Sequence, residues 1–181
     1  MPNQEPLLLE TKRFKVVSDS YPDNHGGIET REIVRHPGSA VVVPLLDDGR
    51  VCLERIFRVS VRQILVELPA GTLSLGEDPQ AAAKRELQEE TGFTALRVEH
   101  IHTFYVSPGI LDEKMHLFVA TGLQEGEHAR EPGERIENHI VPWAEAIDMI
   151  FNRTIQDAKT IIGLLYCDRL KCAGKLPQRI R

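Results

Sequence analysis

Four glutamates, Glu77, Glu86, Glu89 and Glu90, crowd into residues 71–93, which read GTLSLGEDPQAAAKRELQEETGF. Like charges one helical turn apart destabilise a helix unless something neutralises them. A divalent cation is the neutraliser that fits, and hard carboxylate oxygens select Mg²⁺ or Mn²⁺. On a 3.6-residue period Glu86 and Glu90 share one helix face, with Glu89 beside them. Arg85 stands four residues before Glu89 and can hold it in place. Gly71 and Gly76, in the segment leading to this helix, let backbone carbonyls approach a ligand closely. A solvated acidic face would account for a lone Glu-x-x-Glu. It does not account for the whole string of Gly71, Glu77, Arg85-Glu86-Leu87, Glu89-Glu90 and Gly92-Phe93.

The elements that position these acids follow from punctuation and periodicity. Asp78 as N-cap and Pro79 at the first helical position open the acidic helix, and Gly92 closes it. Residues 39–46 form a nearly continuous apolar run, a buried strand, and Asp47-Asp48-Gly49 turns it into a second strand over 51–58. A short strand over 63–68 precedes a loop running to Asp78. Strands over 95–106 and 114–121 flank Ser107-Pro108-Gly109, a polar loop covers 124–133, and a strand returns over 135–141. Residues 142–151 and 157–170 carry helical apolar spacing, with Trp143 as a core anchor. Upstream, strands over 12–19 and 28–35 around a turn at 22–27 form a β-hairpin that cannot bury enough surface alone. The expected fold is α+β: a mixed central sheet sandwiched by helices. The expected organisation is an N-terminal hairpin region over 1–38 and a main domain over 39–181.

At 181 residues and a formal net charge of −5, the chain has the composition of a soluble globular domain and no basic footprint for nucleic acid. An anionic substrate would therefore need a local cation bridge. No stretch reaches the ~20 apolar residues of a membrane span. The Leu7-Leu8-Leu9 run is too short for a signal peptide, and Cys52, Cys167 and Cys172 form no C-x-x-C pair. The expected location is the cytoplasm, with reduced thiols.

The string over 71–93 resembles the Nudix box of the Nudix hydrolases, which cleave a nucleoside diphosphate linked to another moiety. The resemblance implies an α/β/α sandwich in which the box forms a loop-helix-loop. It implies Glu86 and Glu90 as metal ligands, Glu89 as a further ligand or hydrogen-bonded neighbour, and the Ala70 carbonyl as a backbone ligand. Features outside the box, Glu67-Leu68-Pro69-Ala70-Gly71, Arg58, Ser107-Pro108-Gly109 and residues 31–38, resemble the ADP-ribose pyrophosphatase branch. That branch implies a homodimer whose N-terminal strands cross to the partner and help build the adenosine site. By position, Arg58 and Ser107 would contact substrate, Glu32 and His36 would reach it from the partner, and Glu67 would support the site. Relatives commonly carry Gln two residues before the arginine at Arg58; here that residue is Ile56.

The expected reaction is metal-dependent hydrolysis of ADP-ribose to AMP and ribose 5-phosphate, with Arg85 and Glu89 in the catalytic cluster. The general base is expected among Glu125, Glu127, Glu131, Glu134 and Glu137, with Glu134 matching the family pattern best. Other nucleotide sugars (ADP-glucose, GDP-mannose) and dinucleotides remain alternatives. A nucleotide-sensing domain without activity is a further one, though such domains usually lose box acids that this chain keeps.

Overall fold

The computed structural model describes residues 5–130 and 135–177. Its chain order begins with β1 (Leu7–Glu10), β2 (Lys15–Pro22) and β3 (Ile28–Arg35), which form one antiparallel sheet in that order. The expected hairpin is β2 and β3, paired from Lys15↔Arg35 to Pro22↔Ile28. It carries a third strand that the sequence reading did not give, because the Leu7–Leu9 run pairs with Val16 and Val17. The hairpin turn is fixed by Asp23, whose carboxylate accepts bonds from the His25 and Gly27 amides, each 2.7 Å.

Next come β4 (Ser39–Pro44), β5 (Arg50–Arg58), β6 (Gln63–Glu67), β7 (Ala70–Thr72), α1 (Pro79–Thr91), β8 (Phe93–Tyr105) and β9 (Lys114–Glu125). The chain continues through β10 (Ile136–Pro142), α2 (Trp143–Phe151) and α3 (Ala158–Cys172). Two sheets build the body. One is antiparallel, in the order β10-β5-β6. The other, β7-β4-β9-β8, is the expected mixed sheet: β4 and β9 run parallel, from Ser39↔Met115 to Pro44↔Ala120, and its other pairs are antiparallel. The two meet where Leu45 bridges Val51. Ala70–Thr72 of the expected loop to Asp78 form strand β7, and Gln124 and Glu125 of the expected polar loop belong to β9.

Alternation along the strands makes the sandwich. Every residue of β4 is buried. Val41 and Val43 pack with Leu117, Val119, Trp143, Leu164 and Cys167 on the α2–α3 side. Ala40 and Val42 pack with Phe118, Ala120, Ala82, Ala83 and Leu87 on the α1 side. A two-residue period in a strand buried on both faces delivers one core to each helical layer. Cys52 and Cys167 are buried free thiols, whereas Cys172 is exposed.

The helix termini match their caps. The Asp78 carboxylate accepts from the Ala81 amide at 2.9 Å, and Gly92 takes φ 79° with its amide on the Gln88 carbonyl. At α3, Asp157 accepts from the Thr160 amide at 3.0 Å, and the Thr160 hydroxyl accepts from the Leu68 amide at 2.8 Å. That last bond ties the β6–β7 connection to α3. The N-terminal sheet docks through β3: the Val34 amide bonds the Ile110 carbonyl and the Asp112 amide bonds the Val34 carbonyl. Among the described residues, no helix is long and apolar enough to cross a membrane.

Candidate functional site

The acidic helix presents its carboxylates to one short piece of backbone. Glu90 accepts a hydrogen bond from the Ala70 amide at 2.9 Å. The Glu86 carboxylate lies against Gly71 so closely that a Cβ there would sit 2.0 Å from the carboxyl carbon. Both side chains face inward, at 8% and 6% residue exposure. Glycine at 71 is thus required by space, since any side chain would displace Glu86. Glu86, Glu89, Glu90, Ala70 and Gly71 line a cleft of about 890 Å³ between α1 and the N-terminal sheet.

Arg85 organises the acids. Its guanidinium donates to Glu77 at 2.9 and 3.0 Å, to Glu86 at 2.6 Å and to Glu89 at 3.0 Å. The hydrogen bonds from Arg85 hold the Glu77 carboxyl below the usual carboxylate range. The bonds to Glu77, and then those to Glu86, raise the Arg85 pKa in return. Glu77 also accepts from the Ser74 amide at 2.8 Å, which closes the loop ahead of the helix.

A second charged cluster adjoins the first. Glu67, 2% exposed, receives a two-pronged bond from Arg58, both contacts 2.8 Å, and a further bond from Lys159. Lys159 also reaches Asp157 at 3.0 Å. Burial pushes the Glu67 pKa up, but the Arg58 hydrogen bonds and the Lys159 charge outweigh it, and the net shift is downward. The Arg58 side chain stays 39% exposed and lines both the main cleft and a smaller one of about 260 Å³, which Lys159, Phe104 and Tyr105 also line. The pairing of Arg58 with Glu67 fits the roles expected of them, a guanidinium offered to the cleft and a carboxylate that aims it.

The expected residues divide by place. The structure brings Ala70, Glu86, Glu89, Glu90, Arg85 and Arg58 together in the cleft, with Glu67 behind Arg58. His36 lines the cleft of its own chain. Glu32 is exposed on β3 opposite Ser18 and does not line the cleft. Ser107 turns the chain after β8, its carbonyl accepting from the Ile110 and Leu111 amides, and it too lies outside the cleft lining. Of the candidate bases, Glu125 ends β9 and Glu137 lies on β10 opposite Arg55. With Glu127 they are exposed and line neither cleft. Glu131 and Glu134 lie outside the described residues.

Several site residues escaped the sequence reading. Lys159 sits two residues beyond the Asp157 helix cap, where a lysine reads as surface. Glu54 interrupts the apolar strand 51–56, and that interruption was its signal. It is 2% exposed, pairs across the sheet with Glu67, and its Oε1 has no hydrogen-bond partner among the described residues. Burial pushes its carboxyl up to about 8, against the opposing charges of Arg130 and Lys159. The turn residues Lys12, Arg13 and Phe14, together with Lys15 and Arg35, also line the cleft, where Lys15 pairs with Glu10 at 2.8 Å and Arg35 with Asp112 at 3.2 Å.

The donor set suits a hard divalent ion. Carboxylate oxygens of Glu86 and Glu90 abut the same Ala70–Gly71 backbone, whose carbonyls offer oxygen ligands. Among the described residues, no three acidic, histidine or cysteine side chains close around one point. Arg85 draws Glu86 and Glu89 toward itself, and the Ala70 amide takes Glu90, so the carboxylates share a wall without converging.

The comparisons agree with this geometry. The NUDIX domain model matches residues 35–162. An ADP-ribose pyrophosphatase of Bacillus subtilis (strain 168) is 40% identical over 144 residues, 78% of each chain. A methanol dehydrogenase activator of Bacillus methanolicus is 38% identical over 161 residues, 88% of this chain and 87% of its own. In fold, a crystal structure of an ADP compounds hydrolase superposes with TM-score 0.81 at 22% identity, covering 96% of this chain and 95% of that one. The matched span includes the segments that build the acidic wall, and the chain belongs to the Nudix family, among its pyrophosphohydrolases.

Proposed function

We propose that this protein hydrolyses the pyrophosphate bond of a nucleoside diphosphate sugar, with ADP-ribose cleaved to AMP and ribose 5-phosphate. The observation that carries the reading is that Glu86 and Glu90 both lie against the Ala70–Gly71 backbone inside a cleft that Arg58 also lines. The similarity to the Bacillus subtilis ADP-ribose pyrophosphatase supports the choice of substrate.

Glu86, Glu90 and the Ala70 carbonyl would hold Mg²⁺ or Mn²⁺, with Glu89 as a further ligand. An ion there would set positive charge against the diphosphate and make an attacking water more acidic. Arg85 holds Glu86 and Glu89 in place. Arg58, aimed by Glu67, gives a phosphate or ribose oxygen a planar donor pair. Lys12, Arg13 and Lys15 of the cleft lining attract the anionic substrate. Water adds to one phosphorus, the bridging P–O bond breaks, and the leaving phosphate departs as AMP or ribose phosphate. Glu134 is proposed as the base that takes the water proton, with loop closure bringing it in.

Residues 1–38 are assigned to a homodimer contact. Support comes from Leu7, Leu8 and Leu9, exposed at 52%, 56% and 51% on an edge strand. A cytoplasmic location completes the reading.

The test is incubation of purified protein with ADP-ribose and Mg²⁺ in ¹⁸O water, with and without chelator, followed by mass analysis. AMP and ribose 5-phosphate, one carrying the label and both abolished by chelator, are the expected result. Intact ADP-ribose beside cleaved GDP-mannose would move the substrate assignment, and no cleavage of any nucleotide sugar would remove it. Light scattering at micromolar concentration tests the dimer, which a monomer mass would discard.

A further inference from the structure

The metal-facing helix has an electrostatic difficulty that its own sequence does not resolve. α1 ends with Glu89 and Glu90 and has no basic residue in its last turn. Acids at the negative end of a helix dipole are unfavourable, and the last carbonyls of any helix need donors. Here the donors come from a distant segment. The Ala129 amide bonds the Glu89 carbonyl at 3.0 Å. Arg130 Nε bonds the Glu90 carbonyl at 2.8 Å, and Asn138 Nδ2 bonds the Thr91 carbonyl at 2.8 Å. A second Arg130 nitrogen donates to Asn138 Oδ1 at 2.8 Å, which joins the last two contacts. Three consecutive carbonyls are thus held by the segments on either side of residues 131–134. The approach is close: a Cβ on Gly92 would meet the Gly126 carbonyl oxygen at 2.8 Å.

We infer that Arg130, braced by Asn138, is a positioning residue that fixes the C-terminal turn of α1 and thereby the Glu90 carboxylate in its metal-binding pose. One guanidinium serves both ends of the contact. Its charge offsets the helix terminus and the adjacent acids, and its planar fork spans the Glu90 carbonyl and the Asn138 amide oxygen together. Lysine would keep the charge but could not span both with fixed geometry. Ligand-orienting partners of this kind change metal affinity by roughly 10- to 100-fold when removed. The inference rests on the metal-assisted reading of the cleft.

Its test separates the two claims. Free Mn²⁺ is titrated by electron paramagnetic resonance against wild type, Arg130→Ala, Arg130→Lys and Asn138→Ala, without substrate and well below each melting temperature. Arg130→Ala is expected to bind Mn²⁺ at least tenfold more weakly, and Arg130→Lys and Asn138→Ala at least threefold. The double variant Arg130→Ala/Asn138→Ala should lose less than the product of the singles, because the two side chains act through one contact. With ADP-ribose, kcat should fall while KM at saturating metal changes by less than twofold. Wild-type Mn²⁺ affinity in Arg130→Ala or Arg130→Lys overturns the inference. If Arg130→Ala does not fold, Arg130→Lys and Asn138→Ala decide it. A wild-type protein that binds Mn²⁺ but leaves ADP-ribose intact would instead overturn the proposed function and leave the clamp standing on its affinity data.

Discussion

The Glu90 carboxylate accepts a 2.9 Å hydrogen bond from the Ala70 amide, so the acidic helix and the backbone entering its loop are joined at the point where a metal ligand is needed. Glutamine at 90 would still accept that bond but would carry no charge. Glu90→Gln is therefore expected to keep the fold, with a melting temperature within about 3 °C of wild type, the shift that roughly 1 kcal/mol produces at this size. Several kcal/mol of charge stabilisation depend on the ion, so kcat should fall on the order of a thousandfold. Steady-state kinetics with a melting curve decide it, and near-wild-type turnover would remove Glu90 from the metal set.

Gly71→Ala isolates space from charge. The new Cβ would lie 2.0 Å from the Glu86 carboxyl carbon, and the group it meets is the free end of a flexible side chain. The carboxylate can swing away at little cost to the fold, but it then leaves the Ala70–Gly71 wall. The expected outcome is a small change in stability beside a loss of activity of more than tenfold, in line with displacing a group that orients or ligates the metal. Full activity in this variant would mean that the Glu86 position is not used.

Much of this was legible in the sequence, and the rest was hidden for definable reasons. The boundaries of α1 followed from Asp78, Pro79 and Gly92 because caps are local chemistry. The burial of β4 followed from its unbroken apolar run. Strand β1 was missed because Leu7–Leu9 has no alternation and is defined only by its pairing with β2. The register shift between His100 and His102 on β8 was equally invisible: it leaves His100 bonded to Thr103 and His102 stacked on Tyr166. Lys159 and Arg130 matter through contacts 92 and 40 residues distant in the chain, to Glu67 and Glu90, which no local pattern encodes.

Lys159→Met tests whether the cluster behind Arg58 is one unit. Lys159 and Glu67 side chains are only 9% and 2% exposed, and removing one partner of a buried pair leaves the other charge undercompensated. Arg58 remains on Glu67, so the loss is expected at the low end of the usual range, about 3 kcal/mol by denaturant unfolding. The freed Glu67 should also lose part of its downward pKa shift. The lowered pKa contributes stability above the unfolded value that disappears as pH falls through the folded one, so the variant should show a weaker acid-side loss than wild type. An unchanged unfolding midpoint would show that Lys159 contributes nothing there.

Glu54 makes the opposite pH signature. Its folded pKa, about 8, lies above its ordinary value of 4.5 because burial disfavours the charged form. The folded state therefore holds a proton that the unfolded state has already released between those two values. Stability from this group is full below 4.5, declines as pH rises toward 8, and is lost above it, a change on the order of 5 kcal/mol. Glu54→Gln is neutral at every pH and nearly the same shape, so it should match wild type at pH 5 and exceed it progressively toward pH 9. The measured quantity is the difference in unfolding free energy between the two proteins across that range. The Arg130 charge acts against the shift, so Arg130→Ala should raise the folded pKa further and extend the decline to higher pH. A difference between Glu54→Gln and wild type that stays flat with pH would mean that Glu54 is ionised in the folded protein, with the charges of Arg130 and Lys159 outweighing its burial.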